Sequence, residues 1–294
     1  MIARTCLVGG VRVRLLQHRA GGTAVLLVHG NSSCKEIFSK QIPALRDGGF
    51  SIVVPDLPGH GESDDSRTPS STYSFPGYAR TLLSLMKRLG YAAFHVVGWS
   101  LGGHIGIEMW ASDRAVRSLL LTGTPPVRLD PSGVAAGFRW TATTALAGRS
   151  RFASDDVTRY VRAMMGTSPA LGGYFDRMAA RTDGRARKWM VTNGLAGRGI
   201  DQLKAVSEIN RPLGVVQGIH DPFVRMDYIR SIFFKNVWTG APVEIEAGHA
   251  PHWERPKAFN SKMMEFLMDR ISSGGQPGGL GTNGQHRGFH RQDA

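Results

Sequence analysis

A short apolar run leads directly into the pentapeptide GWSLG at residues 98–102, and a helical pattern follows it. The run Phe94–Gly98 has the continuous hydrophobic character of a strand buried on both faces, and Gly103–Ala111 has the spacing of a helix. Small residues two positions before and two after Ser100 would let this strand and helix approach closely. The pattern therefore predicts a tight strand–turn–helix unit with Ser100 at its apex, which requires a sheet with helices packed on it.

The rest of the chain repeats this alternation of strand and helix patterns. Further strands are predicted at Gly10–His18, Ala24–His29, Ser51–Pro55, Arg117–Leu121, Leu213–Gln217 and Val243–Glu246. Helices are predicted at Ile37–Arg46, Tyr73–Leu89, Met226–Phe234 and Pro256–Ile271. Such alternation is typical of parallel strands joined by crossover helices on both faces. We therefore expect an α/β fold with a doubly wound, mostly parallel sheet.

The alternation is interrupted between Val127 and Ile209, where the chain has helical character and no buried-strand pattern. We therefore expect residues 1–126 and 210–271 to form the core and residues 127–209 to form an inserted helical cap. A cleft between the cap and the strand ends would be the binding site, because open α/β sheets bind ligands at the carboxyl ends of their strands. The Gly-rich tail, residues 272–294, is expected to be disordered.

The balance of charge raises the question of a polyanionic partner. The chain has 36 Lys and Arg against 23 Asp and Glu, a formal net charge of +13 over 294 residues. The basic residues are spread along the chain, and it has no zinc finger, RNP-type aromatic motif or Gly-Lys P-loop. A charged surface that keeps the protein in solution is the favoured interpretation, so neither nucleic acid nor a membrane is expected as a partner.

Features of the chain that report on its location favour the cytoplasm. The chain has only two cysteines, Cys6 and Cys34, too few for a disulfide scaffold. Its first residues lack the apolar core of a signal peptide, and no run approaches the roughly 20 apolar residues of a membrane-spanning helix. A soluble cytoplasmic protein is predicted, and the oligomeric state stays open.

Ser100 is the predicted nucleophile, because the turn would present its hydroxyl to the cleft at a helix N-terminus. There the backbone N–H of Leu101 could stabilise an oxyanion. The alternative is a Ser100 that serves only as the helix N-cap. A second oxyanion donor is expected from the N–H of Asn31, which follows the strand ending in His29. The Asn31 side chain is also expected to hold polar groups of the substrate.

A serine needs a base, and His249 is the histidine best placed to supply it. His249 follows a predicted strand with a glycine before it, which would project the imidazole from the carboxyl edge of the sheet. His252 is its rival, and a loop histidine without chemistry is the plainer alternative. Asp221, just past another buried strand, would orient the imidazole, or would only form an Asx turn before Pro222. The chain order of serine, acid and histidine is that of α/β hydrolases.

Several motifs together resemble the α/β-hydrolase superfamily over roughly residues 10–271. They are HGN (29–31), DLPGHG (56–61), GWSLG (98–102), the Gly and Asp of GIHD (218–221), and the Gly-His, Glu and Pro of 248–256. The resemblance implies the α/β-hydrolase fold and a Ser100–Asp221–His249 triad. In the DLPGHG stretch we expect a structured turn, with His60 structural rather than catalytic.

A narrower set of stretches resembles the α/β-hydrolase-fold N-acyl-homoserine lactonases, which degrade bacterial quorum-sensing signals. The stretches are HGNSS (29–33), GWSLGGHIGIEM (98–109), LTGTPPV (121–127), ARTDGRAR (180–187) and DPFV (221–224). This resemblance implies that Tyr160 is a substrate-contacting cap tyrosine. Those lactonases can carry Glu at the acid position, so Asp221 is a departure that shortens the side chain and keeps its role.

The sequence therefore predicts a serine hydrolase that acts on a small-molecule ester, most favourably the lactone ring of an N-acyl homoserine lactone, through an acyl-enzyme. No cofactor and no metal are expected, because the chain has no H-x-H-x-D-H cluster. Five cap residues are expected either to line an acyl channel or to form cap core: Phe138, Trp140, Tyr160, Met164 and Met165.

Other functions stay open at this stage. A general carboxylesterase and a carbon–carbon bond hydrolase share the triad and differ in cap shape. A hydrolase-fold ligand receptor, whose triad mainly binds, is the alternative from another class. A dehalogenase or an epoxide hydrolase is disfavoured, because both need a carboxylate at the position of Ser100.

Overall fold

The computed structural model describes residues 1–166 and 173–274, and an eight-stranded sheet forms its centre. In chain order the strands are β1 Ile2–Val8, β2 Val11–His18, β3 Ala24–Val28, β4 Ser51–Pro55, β5 Phe94–Trp99, β6 Val116–Thr122, β7 Leu213–Gly218 and β8 Val243–Ile245. Their order across the sheet is β1-β2-β4-β3-β5-β6-β7-β8. The pairs β1–β2 and β2–β4 are antiparallel, and every other pair is parallel. The predicted α/β fold class is confirmed.

Helices connect the strands and cover both faces of the sheet. They are α1 Ile42–Asp47, α2 Pro69–Thr72, α3 Phe75–Arg88, α4 Leu101–Ser112, α5 Pro131–Gly137, α6 Ser154–Met165, α7 Tyr174–Arg181, α8 Gly184–Leu195, α9 Gln202–Glu208, α10 Met226–Ser231, α11 Pro251–Glu254 and α12 Pro256–Gly274. Short 3₁₀ helices lie at Lys35–Phe38, Thr144–Gly148 and Trp238–Gly240. Among the described residues, no helix is both long enough and apolar enough to span a membrane.

The stretch between β6 and β7, where the inserted cap is expected, carries helices α5 to α9. None of the described residues between these two strands belongs to a strand of the sheet. The predicted tail is described only as far as residue 274, and its first three positions continue α12. Residues 275–294 lie outside the described part of the chain.

The two faces of β3 show why the central strands have continuous apolar sequences. Leu26 and Val28 pack into one hydrophobic cluster, which includes side chains of α3 and α4. Val25 and Leu27 pack into the second cluster, with side chains of α1 and α12. Successive side chains of a strand point to opposite faces, so a strand covered by helices on both sides needs apolar residues at every position.

The structure differs from the sequence prediction at two places near the N-terminus. Strand β1 was not predicted, although Gly9 and Gly10 form the turn of a β1–β2 hairpin with φ of 56° and 79°. Two glycines with positive φ are typical of tight hairpin turns, so this signal was present in the sequence. The single helix predicted at Ile37–Arg46 is a 3₁₀ helix followed by α1, which begins with Pro43 in its first turn. Proline has no N–H to continue a preceding helix.

Close backbone contacts fix the junction of β5 and α4. A Cβ atom on Gly102 would lie 2.0 Å from the carbonyl oxygen of Val28, and one on Gly98 would lie 2.5 Å from the carbonyl oxygen of Gly102. Real Cβ atoms do not approach backbone atoms so closely. Both positions therefore require glycine, because the helix is packed directly against β3 and β5.

We expect Gly102→Ala to destabilise the protein, since its new methyl group has only backbone to displace. Overpacking of this kind costs about 1–3 kcal/mol of unfolding free energy. Urea unfolding followed by circular dichroism measures the loss. Gly21→Ala is the matched control, because a Cβ at Gly21 meets no atom within 4 Å. Equal stability of the two variants would contradict the close-approach argument.

Candidate active site

Ser100 lies at the turn between β5 and α4 in a strained backbone conformation. Its φ is 54° and its ψ is −119°, a combination that L-residues rarely adopt. The Ser100 side chain makes no cap hydrogen bond to α4, so the N-cap role considered from the sequence is not observed. Its backbone N–H donates to the carbonyl of Thr122 on β6 at 2.9 Å, which anchors the turn to the sheet. Leu101 is the first residue of α4, and its N–H therefore has no acceptor within the helix.

The loop after β3 passes directly beside Ser100. A Cβ atom on Gly30 would lie 3.1 Å from the Ser100 Cβ and 2.9 Å from the Trp99 ring, so only glycine fits here. Asn31 comes next in the chain, and it lines the same cavity as Ser100. The two predicted oxyanion donors, the N–H groups of Asn31 and Leu101, therefore belong to residues that flank Ser100.

The Asn31 side chain joins this loop to the helical segment between β6 and β7. Its Nδ2 donates to the carbonyl oxygen of Ala147 at 2.9 Å and to the Tyr160 Oη at 3.3 Å. Since Tyr160 accepts this bond, its own hydroxyl proton remains available for another acceptor. Burial raises the pKa of Tyr160 to about 12, so the phenol is neutral at pH 7. Asn31 and Tyr160 thus present a polar pair to the cavity.

A buried carboxylate holds the imidazole of His249. The His249 Nδ1 lies 2.8 Å from Oδ2 of Asp221, and both side chains are buried. The Asp221 Oδ1 also accepts from the backbone N–H groups of Phe223 and Val224, at 2.8 and 3.0 Å. Asp221 therefore forms the Asx turn that was the alternative interpretation, and it binds the histidine as well. With Nδ1 engaged, Nε2 is the ring nitrogen left for proton transfer.

Three residues around the His249–Asp221 pair were not identified from the sequence. Gln217 donates from Nε2 to Asp221 Oδ2 at 2.8 Å and accepts the N–H of Gly123 at 2.9 Å. Trp99 donates from Nε1 to the carbonyl oxygen of His249 at 2.8 Å. The ring of Phe223 packs edge-on against the imidazole, with centroids 4.7 Å apart. In the sequence, the one indication of these contacts is Gln217, a polar residue near the end of the otherwise apolar strand β7.

His252, the rival base, does not reach the cavity. Its ring packs 5.0 Å from both the Trp99 and the Phe38 rings, centroid to centroid. It is fully buried, and within the described structure neither ring nitrogen has a hydrogen-bond partner. Burial lowers the pKa of His252 to about 3, so the ring stays neutral. His252 therefore packs against Phe38 and Trp99 and does not line the cavity.

Polar contacts hold the DLPGHG stretch, residues 56–61, in the structured turn that the sequence predicts. Lys35 Nζ contacts Asp56 and Glu62, each at 2.8 Å, and the Lys35 N–H also donates to Asp56. His29 Nε2 accepts the N–H of Leu57 at 2.9 Å, which ties this turn to the loop after β3. His60 packs against His29 and is fully buried. These contacts position the loop that carries Asn31.

Ser100, Asn31, Leu101 and His249 line one cavity of about 490 Å³ between the sheet edge and the helical segment. Most of its other lining residues are apolar. Of the five cap residues considered from the sequence, the structure places three on the cavity wall: Phe138, Trp140 and Tyr160. The other two, Met164 and Met165, are buried in the hydrophobic core. Trp140 is 59% exposed, which places it at the cavity opening.

The donor set for a metal is missing from this region. Within residues 1–166 and 173–274, no group of three or more His, Cys, Asp or Glu side chains is arranged to hold a metal ion. The arrangement is suited to nucleophilic acyl transfer, in which a serine, a histidine and an acid act together with backbone donors.

Comparison with known proteins places this geometry among hydrolases. Residues 25–262 match the family model described as the alpha/beta hydrolase family. A solved mutant of the N-acyl homoserine lactonase AidH, complexed with N-hexanoyl homoserine lactone, is 37% identical with a TM-score of 0.88. The match covers 92% of this chain and 99% of that one. AidH complexed with N-butanoyl homoserine gives 36% identity and a TM-score of 0.87, over 98% and 100% of the two chains.

A curated relative has a different name. The 2-hydroxy-6-oxononadienedioate/2-hydroxy-6-oxononatrienedioate hydrolase of Burkholderia vietnamiensis is 25% identical over 274 residues. The match covers 87% of this chain and 91% of the relative.

We expect Ser100→Ala to abolish turnover of any ester substrate while the fold is retained, because the change removes only the hydroxyl. Loss of a triad serine costs about 10⁴-fold or more in kcat. Release of p-nitrophenol from p-nitrophenyl butanoate measures activity, and circular dichroism checks the fold. Ser261→Ala, on the exposed side of α12, is the matched control. A folded Ser100→Ala protein with full activity would exclude Ser100 as the nucleophile.

Proposed function

The chain belongs to the alpha/beta hydrolase family, and we propose that it opens the lactone ring of N-acyl homoserine lactones with Ser100, His249 and Asp221. The observation that carries this proposal is the largely apolar cavity onto which Ser100 and His249 open. A cavity of this kind suits an acyl chain, and the polar pair of Asn31 and Tyr160 suits an amide or lactone oxygen. The likeness to AidH over nearly the whole chain supports the same substrate class.

In the first half of the reaction, His249 Nε2 accepts the proton of the Ser100 hydroxyl as the serine oxygen attacks the lactone carbonyl carbon. The N–H groups of Leu101 and Asn31 stabilise the oxyanion of the tetrahedral intermediate. The bond between the carbonyl carbon and the ring oxygen then breaks, and His249 returns the proton to that oxygen. The product of this half is an acyl-enzyme whose acyl group carries the new hydroxyl.

In the second half, His249 accepts a proton from a water molecule, which attacks the acyl-enzyme carbonyl. The ester bond to Ser100 breaks, the serine regains its proton, and an N-acyl homoserine leaves. Asp221 stabilises the imidazolium that forms in each half, because its carboxylate contacts Nδ1. Four hydrogen bonds to Asp221 keep that carboxylate in place.

Carbon–carbon bond hydrolysis is the second candidate, because the curated relatives carry that kind of name. A dienedioate substrate has two carboxylates, which would need cationic partners in the cavity. Arg149 is the one Lys or Arg among the described lining residues, and its guanidinium contacts Asp156 at 2.8 Å. The cavity therefore favours a neutral acyl substrate over a dicarboxylate.

An acid-release assay on a series of acyl homoserine lactones tests the proposal. The same enzyme is assayed on p-nitrophenyl esters of matched chain length and on a 2-hydroxy-6-oxodienedioate. A kcat/KM for lactones above that for the esters supports the lactonase function. Turnover of the esters alone would indicate a general carboxylesterase, and turnover of the dienedioate would indicate the second candidate. Binding of lactone without repeated turnover would indicate a receptor.

We also propose a cytoplasmic location and a small-molecule substrate, with neither nucleic acid nor a membrane as partner. Cys6 and Cys34 are both free thiols, which a reducing compartment preserves.

We expect chelation to leave lactone hydrolysis unchanged, because acyl transfer through Ser100 needs no metal. The measurement is kcat/KM after prolonged treatment with EDTA and desalting. A known zinc lactonase treated in parallel controls for effective chelation. Loss of activity that zinc restores would show that the reaction is metal-assisted.

We expect Tyr160→Phe to lower kcat/KM for acyl homoserine lactones about 2- to 13-fold, the value of a lost hydrogen bond of about 0.5–1.5 kcal/mol. The change leaves the ring packing against Phe152 and Phe223. Asn31 Nδ2 also keeps its bond to the Ala147 carbonyl, so thermal stability should change little. The measurement compares a lactone with a p-nitrophenyl ester that lacks the amide.

Tyr91→Phe is the matched control, since the Tyr91 hydroxyl contacts Gln17 and not the cavity. It should leave the ratio of lactone to ester hydrolysis unchanged. Equal losses on both substrates in Tyr160→Phe would contradict a contact with the amide and weaken the lactonase proposal, without affecting the triad.

A further inference from the structure

A second histidine lines the cavity without a place in the acyl-transfer mechanism. His104 lies on α4, four residues after Ser100, and borders the same cavity. Its ring is stacked on Phe75, with centroids 5.2 Å apart, and lies 5.9 Å from the Phe138 ring. It is therefore a buried polar ring set among the aromatic walls of an otherwise apolar space.

The contacts of His104 fix its tautomer. Its Nδ1 lies 2.7 Å from Oε1 of Gln202, and Gln202 Nε2 in turn lies 3.5 Å from the carbonyl oxygen of His104. The second contact orients the amide, because the reversed amide would place two oxygens against each other. Nδ1 therefore carries the proton, and Nε2 carries a lone pair. Burial lowers the pKa of His104 to about 4, which keeps the ring neutral at pH 7.

Within residues 1–166 and 173–274, the lone pair on His104 Nε2 has no hydrogen-bond partner. Among the described residues, the ring makes its hydrogen bond through Nδ1. Nε2 is not among the inaccessible, unpartnered nitrogens, whereas both His252 nitrogens are. Since His104 borders the cavity, Nε2 is the atom that a bound molecule can reach. A single hydrogen-bond acceptor in an apolar wall selects for a donor on the ligand.

We propose that His104 Nε2 accepts a hydrogen bond from a hydroxyl group on the acyl chain of the substrate, so that the enzyme prefers hydroxylated acyl chains. The identity of the substrate as a 3-hydroxyacyl homoserine lactone rests on the proposed function. The preference for a hydroxylated chain over a plain one rests only on the position of His104 in the cavity.

The spacing along α4 agrees with this placement. Four helical residues span about 6 Å along the axis, and His104 follows Ser100, the residue that flanks the start of α4, by four positions. The third carbon of an N-acyl chain lies five bonds from the lactone carbonyl carbon. With bonds of about 1.5 Å and tetrahedral angles, an extended chain of that length also spans about 6 Å.

The chemistry of the acceptor predicts an order among chain substituents. A 3-hydroxyl group donates to Nε2 and recovers a hydrogen bond that it loses on leaving water. A 3-oxo group has no proton to donate and places its oxygen against the lone pair. An unsubstituted chain makes no polar contact. The 3-hydroxyacyl substrate should therefore have the highest kcat/KM of the three.

The experiment compares hexanoyl, 3-hydroxyhexanoyl and 3-oxohexanoyl homoserine lactones on the full chain and its variants. In His104→Phe the ratio of kcat/KM for the hydroxylated over the plain chain should fall about 2- to 13-fold, the value of one neutral hydrogen bond. Met190→Leu is the matched control, because it alters an apolar lining residue. It should leave that ratio unchanged.

His104→Phe leaves Gln202 without its partner, so the variant is also made together with Gln202→Leu. Replacing both members of a buried pair avoids an orphaned polar group. Melting temperatures identify whichever variant is folded, and the ratio is measured in that one. The order of the three substrates on the unaltered enzyme is a second measurement, which needs no variant.

A parallel pair of simple esters separates this proposal from the lactonase function. In p-nitrophenyl 6-hydroxyhexanoate the carbon that bears the hydroxyl lies five bonds from the attacked carbon, as in the 3-hydroxyacyl lactone, and p-nitrophenyl hexanoate is its plain counterpart. If the enzyme does not hydrolyse lactones, the lactonase proposal is wrong. The two p-nitrophenyl esters then still test the role of His104. A preference for the hydroxylated ester that His104→Phe removes supports the proposal. The same ratio before and after the substitution, or a preference for the 3-oxo chain, overturns it.

Discussion

The backbone at Ser100 is the constraint on which the rest of the site depends. A φ of 54° and close contacts at Gly98 and Gly102 bring α4 directly against β3 and β5. Gly30 also lies beside the Ser100 Cβ, so the loop after β3 and the start of α4 both flank the Ser100 side chain. Strain of this kind persists only where the surrounding packing over-determines it, and here two buried strands supply that packing.

Asp221 is the second point at which several elements meet. It receives hydrogen bonds from its own loop, from Gln217 at the end of β7 and from His249 after β8. The turn that shapes the loop and the contact that orients the His249 imidazole therefore use the same carboxylate. Because Gln217 also binds the N–H of Gly123 after β6, the acid is tied to three neighbouring strand ends.

The proposed triad and three residues of the cavity wall come from different parts of the chain. Ser100, Asp221 and His249 follow strands of the sheet, whereas Tyr160, Phe138 and Trp140 come from the segment between β6 and β7. At the cavity, the Asn31 side chain joins the two parts through its hydrogen bonds to the Ala147 carbonyl and to Tyr160. Under the proposed function, substitutions in the helical segment alter the choice of substrate while the strand ends keep the proposed triad in place.

The sequence by itself determined the order of the central strands along the chain and the positions of Ser100, Asp221 and His249. Continuous apolar runs and glycines at forced contacts are local signals that any such sheet must carry. Only the tertiary structure decided which side chains face the cavity, because that depends on how distant elements pack. Met164 and Met165 were candidates for the cavity wall in the sequence, yet they are buried in the core and do not line the cavity as Tyr160 does. Gln217, Phe223 and His104 gained their places from partners that lie elsewhere in the chain, and periodicity carries no record of such contacts.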